Sequence, residues 1–179
     1  MYVPAQYAET RSEALHALID RHPLGALVRF GGEGGDGLDA DHLPFQLVPP
    51  GRDAPLGCLR AHVARANPLA HEDGAAVMVL FRGASDYVSP LSYDLVARGR
   101  RAVPTWNYEV VHVHGRLRVV DDGDWIMAHM QAATLRREDA QAGWRIADAP
   151  RDYIDRLLRA TVGIEIAIER IAGKFKMGR

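Results

Sequence analysis

The chain has 179 residues, 47% of them hydrophobic and 25% charged, which suits one well-cored domain and excludes wholesale disorder. Its 22 basic and 23 acidic side chains sum to −1, so no overall positive field draws it to DNA or to an anionic bilayer. A single cysteine, Cys58, excludes an intrachain disulfide and a CxxC zinc site, and it fits a reducing compartment. The opening Met1-Tyr2-Val3-Pro4 lacks the basic and apolar regions of a signal peptide, and no apolar run approaches the ~20 residues that cross a bilayer. The expected location is the cytoplasm.

In chain order, Thr10 with Glu13 three residues on fits a capping box, and Ala14, Leu15, Leu18 and Ile19 repeat at helical spacing until Pro23. This predicts a helix over about 10–22. Ala26 to Phe30 and Leu38 to Val48 read as two strands joined by the glycine-rich segment 31–37. That segment carries Glu33 and Asp36, with Asp39 and Asp41 just beyond, and it has no lysine. Such acidity would repel a phosphate, so a solvated hairpin tip is expected there. Leu56 to Ala64 predicts a third strand, and Ala75 to Arg82 a fourth whose near-continuous apolar run implies burial. Arg65-Ala66-Asn67-Pro68 reads as the loop between them, and Tyr87-Val88-Ser89-Pro90 as irregular chain.

Val103 to Val120 is the longest extended segment, with Val111, Val113, Leu117 and Val119 on one face. Tyr108, His112, His114, Arg116 and Arg118 fall on the other. Asp122 to about Leu135 predicts a helix with acid at its N-terminus, and Pro150 opens another through Tyr153, Ile154, Leu157, Leu158 and Thr161. Val162, Ile164, Ile166 and Ile168 then alternate with Gly163, Glu165, Ala167 and Glu169, the pattern of a half-buried strand, before a tail with Arg170, Lys174, Lys176 and Arg179. These elements describe a mainly β (α+β) chain, a small antiparallel barrel with flanking helices.

Several chemistries can be weighed on these residues. His112 and His114 lie two apart on one strand face and could share an ion, with His62 or His42 as a third ligand. No HExxH or cysteine cluster supports this, and Arg116 and Arg118 would oppose a cation, so no metal is expected. Cys58 reads as an inert buried thiol; no GxSxG motif is present, and no catalytic residue can be named. A dinucleotide fold is excluded by the missing GxGxxG and strand–helix alternation. The basic clusters Leu135-Arg136-Arg137 and Arg98-Gly99-Arg100-Arg101 are short and offset by acids, and no helix-turn-helix is visible.

Anion binding is better supported. Arg60 and His62 share one strand face, with Arg65 and Asn67 just after, so a phosphate there would meet adjacent donors. Val103-Pro104-Thr105-Trp106-Asn107-Tyr108 gathers a hydroxyl, an amide and two aromatics behind a proline. It reads either as a wall for a heteroaromatic ligand or as a rigid barrel corner whose Trp caps the core.

The segments MYVPAQY (1–7), DADHLPF (39–45), LRAHVARANP (59–68), YVSP (87–90), VPTWNYEVVHVHG (103–115), DAPRDYIDRLL (148–158) and VGIEIAIERIAGKFKM (162–177) occur in order over nearly the whole chain. Together they resemble the PaiB family, bacterial proteins described as FMN-binding negative transcriptional regulators. The resemblance implies an FMN-binding split β-barrel, one domain over 1–179 with the helix at 10–22 and the helix and strand at 150–177 appended. It further implies a homodimer with FMN at the subunit interface. Arg60, His62, Arg65 and Asn67 would then hold the flavin phosphate, and Tyr87, Ser89, Thr105, Trp106 and Asn107 would line the ribityl chain and ring. In this family the GKFK stretch usually continues into Ser-Gln-Asn, whereas here it reads Lys176-Met177-Gly178-Arg179, a departure expected to weaken the flavin site if that tail closes it. The family's label implies gene repression, although charge and motifs give no support for direct DNA contact. The alternatives are a flavin-dependent oxidoreductase of unknown substrate and a haem-binding split barrel with His112, His114 or His62 as axial ligand.

Overall fold

Period-two alternation of apolar residues builds one antiparallel sheet rolled around its own apolar face. The computed structural model describes residues 1–31, 37–93, 101–139 and 143–177. Glu33, Asp36, Arg98, Gly99, Arg100, Gly178 and Arg179, named above, lie outside the described residues. In chain order the elements are β1 (Ala8–Glu9), α1 (Ser12–Arg21), β2 (Leu24–Phe30), β3 (Leu38–Pro44), β4 (Gln46–Val48), β5 (Cys58–Ala64), β6 (Ala76–Val88), β7 (Thr105–Val120), α2 (Gly123–Leu135), α3 (Arg151–Arg159) and β8 (Thr161–Lys176). The sheet runs β3-β2-β6-β7-β8-β5-β4, with β1 added to β8. β3 and β5, from opposite arms of that path, come into contact.

The inward set is what alternation predicts. Leu27, Val79, Val113 and Ile171 lie side by side across β2, β6, β7 and β8, and the first three belong to one buried cluster with Leu59, Ile164 and Ile166. α1 covers this core with Leu15, Leu18 and Ile19. The outward set on the same four strands is also largely apolar. Ala26, Leu80, His112 and Ala172 form one row, and Val28, Met78, His114 and Arg170 the next. No element covers this face among the described residues, and Leu24, Phe30 and Leu38 are exposed along its edge.

Four local expectations need correction. The capping box at Thr10 and Glu13 does not form, because the Glu9 carboxylate accepts from the Arg11 backbone N–H at 2.9 Å and from its guanidinium at 3.0 and 2.6 Å, and α1 starts at Ser12. The strand expected over 38–48 breaks at buried Phe45, whose N–H leaves the ladder to donate to Pro23 O at 2.8 Å. β5 begins at Cys58 rather than Leu56, because Gly57 holds a φ of +95° that ends the extended run. Tyr87 and Val88 are not irregular: after a register shift between Arg82 and Ser85, β6 continues and pairs them with Trp106 and Thr105. α2 keeps its expected start, with the Asp122 carboxylate accepting from Asp124 N at 2.8 Å and Trp125 N at 3.1 Å. Burial pushes the Cys58 thiol up to about 11, as an inert core cysteine requires.

Candidate functional site

β5 turns Arg60 and His62 to the outside of the barrel, beneath α2. The α2 ring of Trp125 reaches this face because Gly163 opposes it; a Cβ at Gly163 would stand 2.3 Å from the indole. Trp125 stacks on His129 at 5.4 Å, the Arg60 guanidinium lies 5.3 Å from the Trp125 ring centre, and His129 meets His62 edge-on at 5.3 Å. The two imidazoles line a cavity of about 400 Å³ with Phe45, Gln46, Arg136 and Arg137. Nδ1 of His62 and Nδ1 of His129 are both buried without a hydrogen-bond partner among the described residues. Burial lowers both histidines; His129, with the His62 and Arg60 charges adding to the effect, falls to about 4. Both rings are therefore neutral at physiological pH.

The two arginines expected to hold a phosphate already face carboxylates. Arg60 Nε donates to Glu165 at 2.8 Å, and Arg118 donates to the other oxygen of Glu165 at 2.7 Å. Arg65 grips Asp121 with two bonds of 2.7 and 2.6 Å and also donates to the carbonyls of Arg159 and Thr161. A phosphate at Arg65 would have to displace Asp121. Asn67 accepts from Leu69 N at 2.9 Å and donates to Asp41 at 3.0 Å, capping the short helical turn Pro68–His71.

The second group of expected residues lies at the other end of the long strands. Tyr87 and Trp106 face each other across β6 and β7, their rings 5.9 Å apart in a T-shape, and they are 58% and 54% exposed. Trp106 therefore does not cap the core, which removes the barrel-corner reading. Thr105, Asn107 and Lys176 line a cavity of about 490 Å³ with Tyr7 and Tyr93. The Lys176 ammonium donates to the Thr105 hydroxyl and, at 2.8 Å, to the Trp106 carbonyl. Lys174 and Lys176 stand 5.3 and 5.9 Å from the Tyr108 ring centre. Ser89 accepts from Leu91 N at 3.2 Å, capping a short turn.

Arg60 pairs with Glu165 in register and Tyr108 with Lys176, near opposite ends of β8. At about 3.3 Å per residue the two groups lie on the order of 35 Å apart along that strand. One chain cannot close both around one small ligand. The residues missed in the sequence are Trp125 and His129, which only the packing of α2 brings to His62, and Lys174 and Lys176, whose alternation on β8 was the available signal.

A family model described as "Putative FMN-binding domain" matches residues 1–170. Among curated proteins, an uncharacterized protein of Aspergillus fumigatus is 30% identical over 222 residues, spanning 100% of this chain and 85% of that one. One of Emericella nidulans is 31% identical over 212 residues, spanning 100% and 84%. The Bacillus subtilis protease synthase and sporulation protein PAI 2 is 25% identical over 183 residues, spanning 100% and 82%. Of the solved structures, the FAD and heme binding protein from Mycobacterium smegmatis superposes with a TM-score of 0.68 at 20% identity, covering 96% of this chain and 74% of that one. The flavocytochrome Anf3 from Azotobacter vinelandii superposes at 0.65 and 13% identity, covering 99% and 73%. The fold is the flavin-binding type of split β-barrel, flanked by helices.

Proposed function

The chain belongs to the FMN-binding domain family that its residues 1–170 match, and from that premise we propose that it is a homodimeric flavoprotein holding FMN between two copies. The observation that carries this reading is the division of the expected site between two ends of one chain, beside an apolar outer face that no helix or strand covers among the described residues. Burying that face against its copy is the favourable term, since water leaves Leu24, Val28, Phe30, Met78 and Leu80. A twofold axis across the strands would bring the aromatic tip of one copy toward the β5 end of the other.

The residues fit the group by their chemistry. Tyr87, Trp106 and Tyr108 offer flat faces for an isoalloxazine, Thr105 and Asn107 suit ribityl hydroxyls, and the Lys174 and Lys176 ammoniums suit negative charge. Arg60, His62 and Asn67 of the second copy complete the set. Flavin supplies the redox chemistry when bound. The chain's own residues orient it and exclude water, and Lys176 is kept aimed by the Thr105 hydroxyl and the Trp106 carbonyl.

The test is complementation. Trp106→Ala and Arg60→Ala should each weaken FMN binding by roughly 1.5–3 kcal/mol, read by quenching of flavin fluorescence. Refolding the two variants together should restore one intact site per mixed dimer. No recovery, or full-affinity binding by a monomer, would overturn the shared site. Tighter binding of FAD than FMN, or a Soret band in place of flavin bands, would replace the cofactor. Steady NAD(P)H oxidation by the loaded protein would mark it as an oxidoreductase.

A regulatory role of the PaiB kind is best read as indirect. The helix α3 arginines Arg151 and Arg156 are tied to Asp155 and Asp152 at 3.0 and 3.2 Å, so that helix offers no free basic stripe for a phosphate backbone. Equal gel-shift affinity for its own promoter and for random DNA at physiological salt fits this reading; a specific shift would overturn it.

A further inference from the structure

The uncovered outer face carries charge of one sign. Beside the apolar rows of Leu80 and Met78 stand Arg82 and Lys174 in one register row, Arg170 next to His114, Arg116 beyond, and Lys176 next to Tyr108. None of these cations pairs with a carboxylate among the described residues. The acids of the same strands, Asp39, Asp41 and Glu109, occupy alternate positions and face the other way. Glu165, nearer the β5 end of β8, is held between Arg60 and Arg118. Glu169, the extra residue at the register shift of β8, belongs to no row. A chain whose charges sum to −1 has thus set its acids elsewhere and left this face basic. The field is felt within the face: burial lowers the pKa of His112 and His114, and the charges of Arg170 and the Met1 amino group lower both further.

A twofold interface sets such a patch against itself. Burial of Val28, Met78 and Leu80 favours contact, whereas the like charges that meet across the axis oppose it. What the two faces lack is an anion between them. We propose that this face closes on its copy only together with an anionic flavin, so that FMN and the second copy bind as one linked equilibrium and the flavin-free chain is held toward the monomer by its own charge. The proposal rests on the homodimeric flavoprotein reading above and adds its control of assembly.

The phosphate is the part of FMN that supplies this control. A phosphate monoester brings about two negative charges near neutral pH. Lys174 and Lys176, the only lysines of the chain, stand beside the Tyr108 ring at the aromatic tip. Two of the three protons of the Lys176 ammonium go to the Thr105 hydroxyl and the Trp106 carbonyl, which leaves one for a phosphate oxygen. A ligand bound by the dimer and not by the monomer tightens the dimer in proportion to its own affinity.

The test is sedimentation equilibrium of the full chain, flavin-free, saturated with riboflavin, and saturated with FMN. FMN should lower the dimer dissociation constant at least about tenfold more than riboflavin, which has the same ring and no phosphate. Raising salt from about 50 to about 500 mM screens surface charge and should tighten the flavin-free dimer. Arg170→Gln, at an exposed position outside the flavin set, should tighten the flavin-free dimer and flatten its salt response, a gain that loss of packing could not produce. A flavin-free dimer as tight as the FMN-loaded one, or equal effects of riboflavin and FMN, would overturn the linkage and leave the shared flavin site standing. No FMN binding, or a monomer at saturating FMN, would sink the dimer reading and the linkage with it. Uptake of that monomer by phosphatidylserine vesicles would give the face to a bilayer instead.

Discussion

The two ends of the β6–β7–β8 ribbon are built on opposite principles. At the end where β5 meets β8, charge meets charge: Arg29, with a side chain 1% exposed, donates to Glu72 at 2.7 Å and Asp39 at 3.0 Å and lies 3.8 Å from Asp41. Nearby, Arg65 clamps Asp121, and Asn67 ties the following turn to Asp41. At the other end, Tyr87 and Trp106 are open to solvent and Lys174 and Lys176 lie against aromatic rings. The difference teaches where each kind of residue is free to act. Arg29 of β2 and Arg65 after β5 tie this end of the barrel together, whereas the tip keeps its aromatic side chains open to solvent.

Removing Arg29 breaks the comparison most severely. Arg29 continues the inward set of Gly25 and Leu27, so Arg29→Ala leaves three carboxylates around a closed barrel end with no cation. Breaking a buried pair in this way costs about 3–5 kcal/mol. Urea unfolding should show that loss, and a variant that unfolds at the wild-type midpoint would mean the cluster is hydrated and not a lock.

Acid tests the same end at the neighbouring α2 face. His129 falls to about 4 from an ordinary 6.5, so the unfolded chain takes up a proton that the native state refuses. The sign follows: this contribution is fully present above pH 6.5 and is lost progressively between 6.5 and 4. Its size is roughly 3 kcal/mol. The urea midpoint should drop between pH 7 and 4.5 and drop much less in His129→Leu; equal slopes in both proteins would place the acid sensitivity elsewhere.

Much of this architecture is readable from the residues because it is local. The alternation from Val162 to Ile168 fixes the inward face of β8, and Asp122 marks the start of α2 by its carboxylate alone. What is not readable depends on pairing across the chain. The course of β6 beyond Arg82 is hidden because the register shift before Ser85 breaks the alternation, and only the partner strand shows that Tyr87 lies opposite Trp106. The fate of Arg65 is hidden for a similar reason, since Asp121 reaches it from the far end of another strand's exit. His62 could be placed on an outward strand face, but its neighbours Trp125 and His129 arrive with a helix packed from distant sequence. Arg29 did carry a signal. A charge at an inward position, opposite Asp39 in an adjoining acidic strand, is the pattern of a buried ion cluster.

The smallest expected effect sharpens the contrast. Trp106 is half-exposed, packs edge-on against Tyr87 across the strands, and gives its backbone carbonyl to Lys176. A cross-strand aromatic pair of this kind is worth about 0.2–1 kcal/mol. Trp106→Ala keeps the carbonyl and should therefore cost no more stability than that, while its flavin affinity falls by roughly 1.5–3 kcal/mol, more than tenfold. A large side chain kept in water against the hydrophobic effect, with little return in stability, points to a use outside the monomer fold. If Trp106→Ala instead destabilised the chain as strongly as Arg29→Ala, the tip would be part of the lock and the two ends would differ only in appearance.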